Sequence, residues 1–301
     1  MNVPLPRYFN IGNVSSFVNQ VIDENRIPKS SEFTFDFTEL KFIEPAGITA
    51  LSSIVEFLIK NGATVEFYYF KTSLISKDSA LSYLDDSMFF NRYLNVRLNP
   101  NSSIRNSSLA LEQIDTEGAY QWTELFLLPW LKREIGLDKR LRLESLRISL
   151  IEIFNNISDH SDEKIACLFA QHYPNKKQIR LAISDFGKGI PENVKKVMPT
   201  LADSMAIQKA TEAGFSTHSK PTNRGAGLDL LKKNIVNDNG GNLTILSNKG
   251  ILYINKGIAG TEDYRYYDFE PNLSGYPGTL IHLNINTELY IGEEEKEEFQ
   301  W

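Results

Sequence analysis

At residues 152–160 the sequence reads "EIFNNISDH", closing a helical pattern that begins near residue 138. On a wheel advancing about 100° per residue, Leu143, Leu146, Leu150, Ile153, Phe154 and Ile157 fall on one side. Glu152, Asn156 and His160 recur at every fourth position and line the other side, leaning toward the apolar edge. Asn155 and Asp159 make a second such pair. Asn and Asp are weak helix formers, because their side chains compete for the backbone's hydrogen bonds. An unconstrained wet face more commonly carries Lys, Glu, Gln or Arg. The Glu–Asn–His line is also usable chemistry. A carboxylate can order or deprotonate a nucleophile. An Asn carbonyl oxygen can ligate Mg²⁺, a hard cation that keeps waters and substrate phosphates as its other ligands. Periodicity alone leaves two readings open: a solvated face, or one wall of a site.

Two glycine-bearing segments weigh on that choice. "SDFGKGIP" (184–191) follows an apolar strand pattern and sets an acidic residue before two glycines spaced by one. Such a turn lets backbone approach a ligand closely. Asp185 could accept a hydrogen bond from an exocyclic amino group, and a buried acceptor of this kind rejects analogues lacking the donor by ~10⁴ or more. "STHSKPTNRGAGLDLL" (216–231) carries Ser216, Thr217 and Lys220, then Arg224, Gly225, Ala226 and Gly227 opening a helix. Free N–H groups at a helix start, preceded by glycines, suit an anion, and Lys220 and Arg224 would add charge. The segment is neither a Walker A loop nor the dinucleotide fingerprint of a βαβ unit.

Taken in order, Glu-x-x-x-Asn-x-x-x-His, Asp-x-Gly-x-Gly and Arg-Gly-x-Gly-Leu resemble the motifs of the GHKL ATPase superfamily. That superfamily comprises the ATP-binding domains of gyrase, heat-shock chaperones, histidine kinases and mismatch-repair proteins. "GGNLTILSNKG" and "GYPGTLIHLNI" look like its closing strands, with the Gly-Thr motif at Gly278-Thr279. The match covers roughly residues 110–290. The resemblance implies an α/β sandwich, a mixed sheet covered by helices on one face, with ATP between the layers under a mobile lid of residues 191–224. It implies Asn156 as the Mg²⁺ ligand and Glu152 as the group orienting the attacking water or hydroxyl. Asp185, supported by Thr279, would recognise the adenine amino group. Gly187, Gly189 and Ile190 would line that pocket. Gly225, Ala226, Gly227 and Leu228 would offer backbone to the phosphates, with Ser216, Thr217, Lys220 and Arg224 around them. His160 matches a position often His in bacterial anti-sigma-factor kinases, in packing or in a phosphate contact. The segment at 251–274, with "YINKGIAGTEDYRYYDF", departs from the pattern as an insertion.

The first hundred residues alternate strand and helix signals: strands at 32–37 and 64–70, helices at 46–62 and 79–94, and a short strand at "NVRLN" (95–99). That order implies a parallel or mixed sheet with helical cover. "FTFDFTELKFIEPAGITAL" (33–51) resembles the STAS domain of anti-sigma-factor antagonists. Where phosphorylatable members have Ser before the glycine, this chain has Ala46 before Gly47, so no phosphate can be placed there. Thr49 nearby reads as a packing residue. The sequence therefore divides into a STAS-like docking or regulatory domain (1–98), a linker (99–118), a GHKL-type domain (119–290) and an acidic tail (291–301).

The net charge of −6 falls largely in that tail, which sets one Lys against five Glu. It reads as a solvated end, or as a docking segment anchored by Phe299 and Trp301. No basic footprint suggests nucleic acid. One cysteine, Cys167, reads as a buried strand residue and excludes an internal disulfide. "MNVPLPRYF" lacks a signal core, and no apolar run approaches the ~20 residues a membrane span needs, so a cytoplasmic protein is expected. None of the four histidines (His160, His172, His218, His282) precedes the nucleotide motifs, which argues against a sensor histidine kinase. His172 and His282 read as structural strand residues.

Three functions follow: an Mg²⁺-dependent ATPase switch coupled to a protein partner, a serine/threonine kinase acting on a separate STAS protein, and a non-hydrolysing nucleotide-dependent module. The expected partners are ATP and another protein met through the STAS-like domain. A homodimer, common in the family, is left open.

Overall fold

The computed structural model of the chain describes residues 1–69, 79–115, 118–137, 143–160, 165–215, 227–257, 261–269, 273 and 275–290. The N-terminal unit runs β1 (Asn2–Pro4), β2 (Tyr8–Phe9), α1 (Val14–Val21), β3 (Glu32–Asp36), β4 (Phe42–Ile43), α2 (Pro45–Lys60), β5 (Thr64–Tyr68), α3 (Ala80–Asp86) and α4 (Phe89–Leu94). Strands β1, β3 and β5 pair in parallel, as the alternation of elements implies, and β2 pairs in parallel with β4. The 79–94 helix breaks in two at Met88, which adopts a φ of 78°. The expected strand at 95–99 does not form. The buried Asp85 carboxylate takes the amides of Leu98 and Asn99 at 2.9 Å each, so those donors are bound into a turn rather than a ladder.

The second unit begins inside the expected linker. β6 (Ser108–Asp115) leads to α5 (Ala119–Trp122), a π-helical turn at Thr123–Leu127, α6 (Leu128–Ile135) and α7 (Glu144–His160). The chain continues with β7 (Ile165–Tyr173), β8 (Gln178–Asp185), α8 (Ile190–Lys195) and α9 (Asp203–Ala210). Next come α10 (Gly227–Lys232), running into a π-helical segment at Lys233–Asp238, and then β9 (Asn242–Asn248), β10 (Gly250–Lys256), β11 (Glu262–Asp268) and β12 (Tyr276–Asn286). β6 escapes a period-two reading because a register shift between Leu109 and Glu112 leaves its buried residues, Ser108, Leu111 and Ile114, at every third position. The strands form one seven-stranded sheet in the order β11-β10-β9-β12-β8-β7-β6. Every ladder in it is antiparallel, which corrects the expected mixed sheet. The 251–274 segment supplies β10 and β11, a hairpin that extends one edge of this sheet.

Both faces of the sheet are buried, where one helical cover was expected. On one face Leu168, Leu181, Ile183, Ile245, Ile281 and Leu283 pack with Leu146, Leu150, Ile153 and Ile157 of α7 and Leu231 of α10. On the other face Phe169, Ala182, Leu246, Tyr276 and Leu280 join the core of the N-terminal unit, together with Ile48, Leu51 and Val55 of α2. This explains why "IACLFA", "RLAIS" and "NLTILS" read as continuous apolar runs. Polar ties mark the same contact. The Ser53 hydroxyl of α2 donates to Ser184 of β8 at 2.9 Å, Ser184 meets the Tyr276 hydroxyl, and Arg180 pairs with Glu44 at the start of α2. Cys167 is buried on this face, and burial raises its pKa, so it is a packing residue. His172 and His282 lie on β7 and β12, as expected. Among the described residues no helix is long and apolar enough to cross a membrane.

A shared core makes the two units one cooperative structure. Thermal unfolding followed by far-ultraviolet dichroism and by tryptophan fluorescence should give coincident single transitions; two resolved transitions would contradict the shared core. A second expectation concerns His282. Burial, reinforced by Arg180, pushes its imidazole down to about 4. Unfolded, it titrates near ~6.5. The stability it contributes is therefore fully present above pH ~6.5 and is lost as the pH falls through about 4. Between pH ~7 and ~4.5 the wild type should lose on the order of 2 kcal/mol more, by denaturant titration, than His282→Gln. Equal losses would sink that assignment.

Candidate functional site

The end of β8 carries the acidic turn. Isoleucines 179 and 183 and Leu181 face α7, so alternation sends Asp185 to that helical face as well. Asp185 is buried and accepts the Gly187 amide on Oδ1 at 2.6 Å. Its register partner on β12 is Thr279, also buried. Thr279 Oγ1 lies 3.1 Å from Ser247 Oγ of β9, and Ser247 donates to the Gly278 carbonyl at 2.7 Å. Ser247 in turn accepts the Ile190 amide at 2.9 Å, which ties the start of α8 to the sheet. Three strand ends and one helix start thus converge on Asp185, Ser247 and Thr279. Gly189, with φ 82°, leaves no room for a side chain: a Cβ there would stand 2.7 Å from Asn248 Oδ1 and 2.8 Å from Ser247 Oγ.

The α7 stripe borders the same face. All six residues expected on its apolar side, Leu143, Leu146, Leu150, Ile153, Phe154 and Ile157, are buried. Asn155 is exposed, whereas Glu152 and Asn156 are half-buried. α10 packs on α7 so closely that a Cβ on Gly227 would fall 2.4 Å from Glu152 Cγ and 2.6 Å from its Cβ. The helix start expected to offer backbone to an anion therefore abuts the aliphatic stem of Glu152, the residue expected to be catalytic. Leu228 is buried beside it.

Of the residues singled out in the sequence, Asp185, Gly187, Gly189, Ile190 and Thr279 gather at the strand ends, and Glu152 and Gly227 meet in the helical layer that covers the same sheet face, with Asn156 and Leu228 on the same two helices. Ser216, Thr217, Lys220, Arg224, Gly225 and Ala226 fall outside the described residues, as do the acidic tail and the side chain of His160. The expected lid at 191–224 needs correcting in its first part. Residues 191–210 contain most of α8 and all of α9, and α9 is bound to the sheet. Ala206 and Ile207 are fully buried, Ser204 N and Oγ donate to Asp268 of β11 at 2.8 and 2.5 Å, and Lys249 N donates to Asp203 at 2.9 Å. A segment so anchored does not swing as a lid.

Sequence reasoning missed Ser247, Phe186 and Arg26. Ser247 had a usable signal, a polar residue ending the apolar run of β9. Phe186 packs between Phe57 of α2 and Tyr276, with ring centroids 5.2 and 5.3 Å away. Arg26 reaches the turn from the N-terminal unit, and nothing in its local sequence points there. No family model matches the chain, and no curated protein matches it.

The contact between Gly227 and Glu152 is open to mutation. Gly227→Ala should lower stability by roughly 1–3 kcal/mol, through overpacking that the stiff helix pair cannot relieve. An unchanged melting temperature would show that the two helices separate freely.

Proposed function

We propose that the chain is an ATP-binding regulatory protein of the GHKL type, an Mg²⁺-dependent ATPase switch fused to a STAS-like docking unit. One observation carries the reading: the register pairing of Asp185 with Thr279 on the sheet face that also packs α7 and α10. It brings residues from motifs almost a hundred positions apart into one polar cluster. The glycines support the fit. Gly189 and Gly227 stand where a Cβ would collide with Asn248, Ser247 and Glu152, so the turn and the start of α10 approach those side chains as closely as backbone alone allows.

In this reading Asp185 accepts the adenine amino group, and Thr279 and Ser247 hold the polar network beneath it. Gly187 and Gly189 let the base lie against backbone. The start of α10 faces the phosphates with its free N–H groups. The described residues contain no cluster of three or more His, Cys, Asp or Glu that would hold a metal. Asn156 would therefore share Mg²⁺ with waters and phosphate oxygens. The bound metal would supply charge neutralisation at the phosphates. Glu152, one turn before Asn156, orients the attacking water and accepts its proton.

The N-terminal unit fits a docking role better than that of an internal substrate. Ala46 has no hydroxyl and is fully buried in the first turn of α2, beneath the sheet contact. That favours a switch over phosphotransfer within the chain. A separate STAS protein as phosphoacceptor is the competing reading, and a non-hydrolysing module is the third. An acting site in the cytoplasm belongs to the proposal.

The variants separate these readings. Asp185→Asn should weaken ATP binding by ~10² or more in a direct titration, since the single amide oxygen would stay with the Gly187 N–H and leave an NH2 facing the adenine amino group. Glu152→Ala should bind ATP near wild-type affinity and release ADP ~10²–10⁴ times more slowly. Unchanged hydrolysis by Glu152→Ala would remove that residue from the chemistry. Radiolabel passing from ATP to a STAS protein would favour the kinase.

A further inference from the structure

We propose that Arg26 of the N-terminal unit is a positioning residue for the nucleotide turn, so that the docking unit sets the affinity of the site. The inference rests on the nucleotide reading of residues 185–189. Arg26 stands in the connection between α1 and β3 with φ 64°, a conformation that non-glycine residues seldom adopt. Asp23 imposes it. The Asp23 carbonyl accepts the Arg26 amide at 3.1 Å, and Asp23 Oδ1 takes the amides of Asn25 and Ile27 at 2.9 and 2.8 Å.

From that turn the guanidinium crosses to the other unit. Nη1 donates to the Gly187 carbonyl at 3.3 Å, and Nη2 donates to the Lys188 carbonyl at 3.2 Å and to Asn248 Oδ1 at 2.5 Å. Asn248 Nδ2 closes the set by donating to the same Lys188 carbonyl at 3.1 Å. Burial pulls the Arg26 pKa down while Glu192, Asp185 and Asp203 push it back, and a guanidinium keeps its charge under such opposition. A trans peptide is planar, so holding a carbonyl also fixes the amide behind it. Arg26 thereby aims the N–H groups of Lys188 and Gly189 away from itself, across the turn.

Phe186 adds a second hold from the same side. Its ring is wedged between Phe57 of α2 and Tyr276, so a side chain next to Asp185 belongs to the interface core. Asp185 faces the helical layer while its neighbours on both sides are gripped by the N-terminal unit. A protein that displaced the surface turn at residues 23–27, leaving the shared core closed, would release the carbonyls of Gly187 and Lys188. By linkage, nucleotide binding would tighten the N-terminal contact by the same factor.

The test uses the full-length chain. Arg26→Ala and Arg26→Lys are titrated with a nonhydrolysable ATP analogue and Mg²⁺, and exchange of the 186–190 amides is followed without nucleotide. Arg26→Ala should weaken binding roughly tenfold and speed exchange in that turn, with exchange in β7 and β12 unchanged. Lys carries charge without the fork that spans two carbonyls, so Arg26→Lys should rescue little. Full rescue by Lys, or an affinity of Arg26→Ala within twofold of wild type, overturns the proposal. Should Arg26→Ala fail to fold, Asn248→Ala replaces it, with weaker binding expected and wild-type binding overturning the proposal. If the wild type itself binds no nucleotide, the functional reading falls and takes the affinity claim with it. The exchange measurement still judges the clamp separately, and unchanged exchange in the turn overturns it too.

Discussion

The packing of α2 across β7 and β8 places the central strands between two apolar layers, and the candidate site depends on that arrangement. A sheet buried on both faces penalises free polar groups along its strands, so, with exceptions such as the unpartnered Nε2 of His282, those groups are paired across the interface or stand at the strand ends. Ser53, Ser184, Tyr276, Arg180 and Glu44 take the first course. Asp185, Ser247 and Thr279 take the second. The same burial that fixes the core thus concentrates hydrogen-bonding capacity where the strands stop.

This constraint also explains why one short turn answers to two units. Residue 185 belongs to the helical face and residue 186 to the opposite face, because side chains of an extended segment alternate. Any change in how the N-terminal unit sits on the sheet is passed to Phe186 directly and to Asp185 through one peptide bond. The ties at the other end of the interface, Arg180 with Glu44, hold the unit in register without touching the turn.

Much of the second unit was legible in the sequence. The apolar side of α7 was readable from its period, and β7, β8, β9 and β12 from their apolar runs. Those runs lacked alternation, and that absence carried the news of a second cover, which a single-face reading overlooked. β6 stayed hidden because its bulge gave a period of three. The hairpin-length connections of β7 to β8, β9 to β10 and β10 to β11 dictate antiparallel pairing for those strands, whereas the seating of β12 between β8 and β9 was not readable, because long connections separate it from them in sequence. At the site, Glu152 and Asn156 stood out through their four-residue spacing, Asn156 also through its poor helix propensity, and Asp185 and Thr279 through the glycines beside them. Arg26 did not, since its role depends on an approach across 161 residues of sequence that only the folded interface brings about. The lid was over-read: Asp203, Ser204 and Ile207 looked like part of a mobile stretch, yet they bind β10, β11 and the core.

The central claim is that the polar cluster at the strand ends recognises a nucleotide base. A crystal structure of the full-length chain with a nonhydrolysable ATP analogue and Mg²⁺ tests it most directly. The account requires the adenine amino group within hydrogen-bond reach of Asp185, with the phosphates at the start of α10 beside Asn156. An analogue bound elsewhere, or an empty turn at saturating nucleotide, would contradict it.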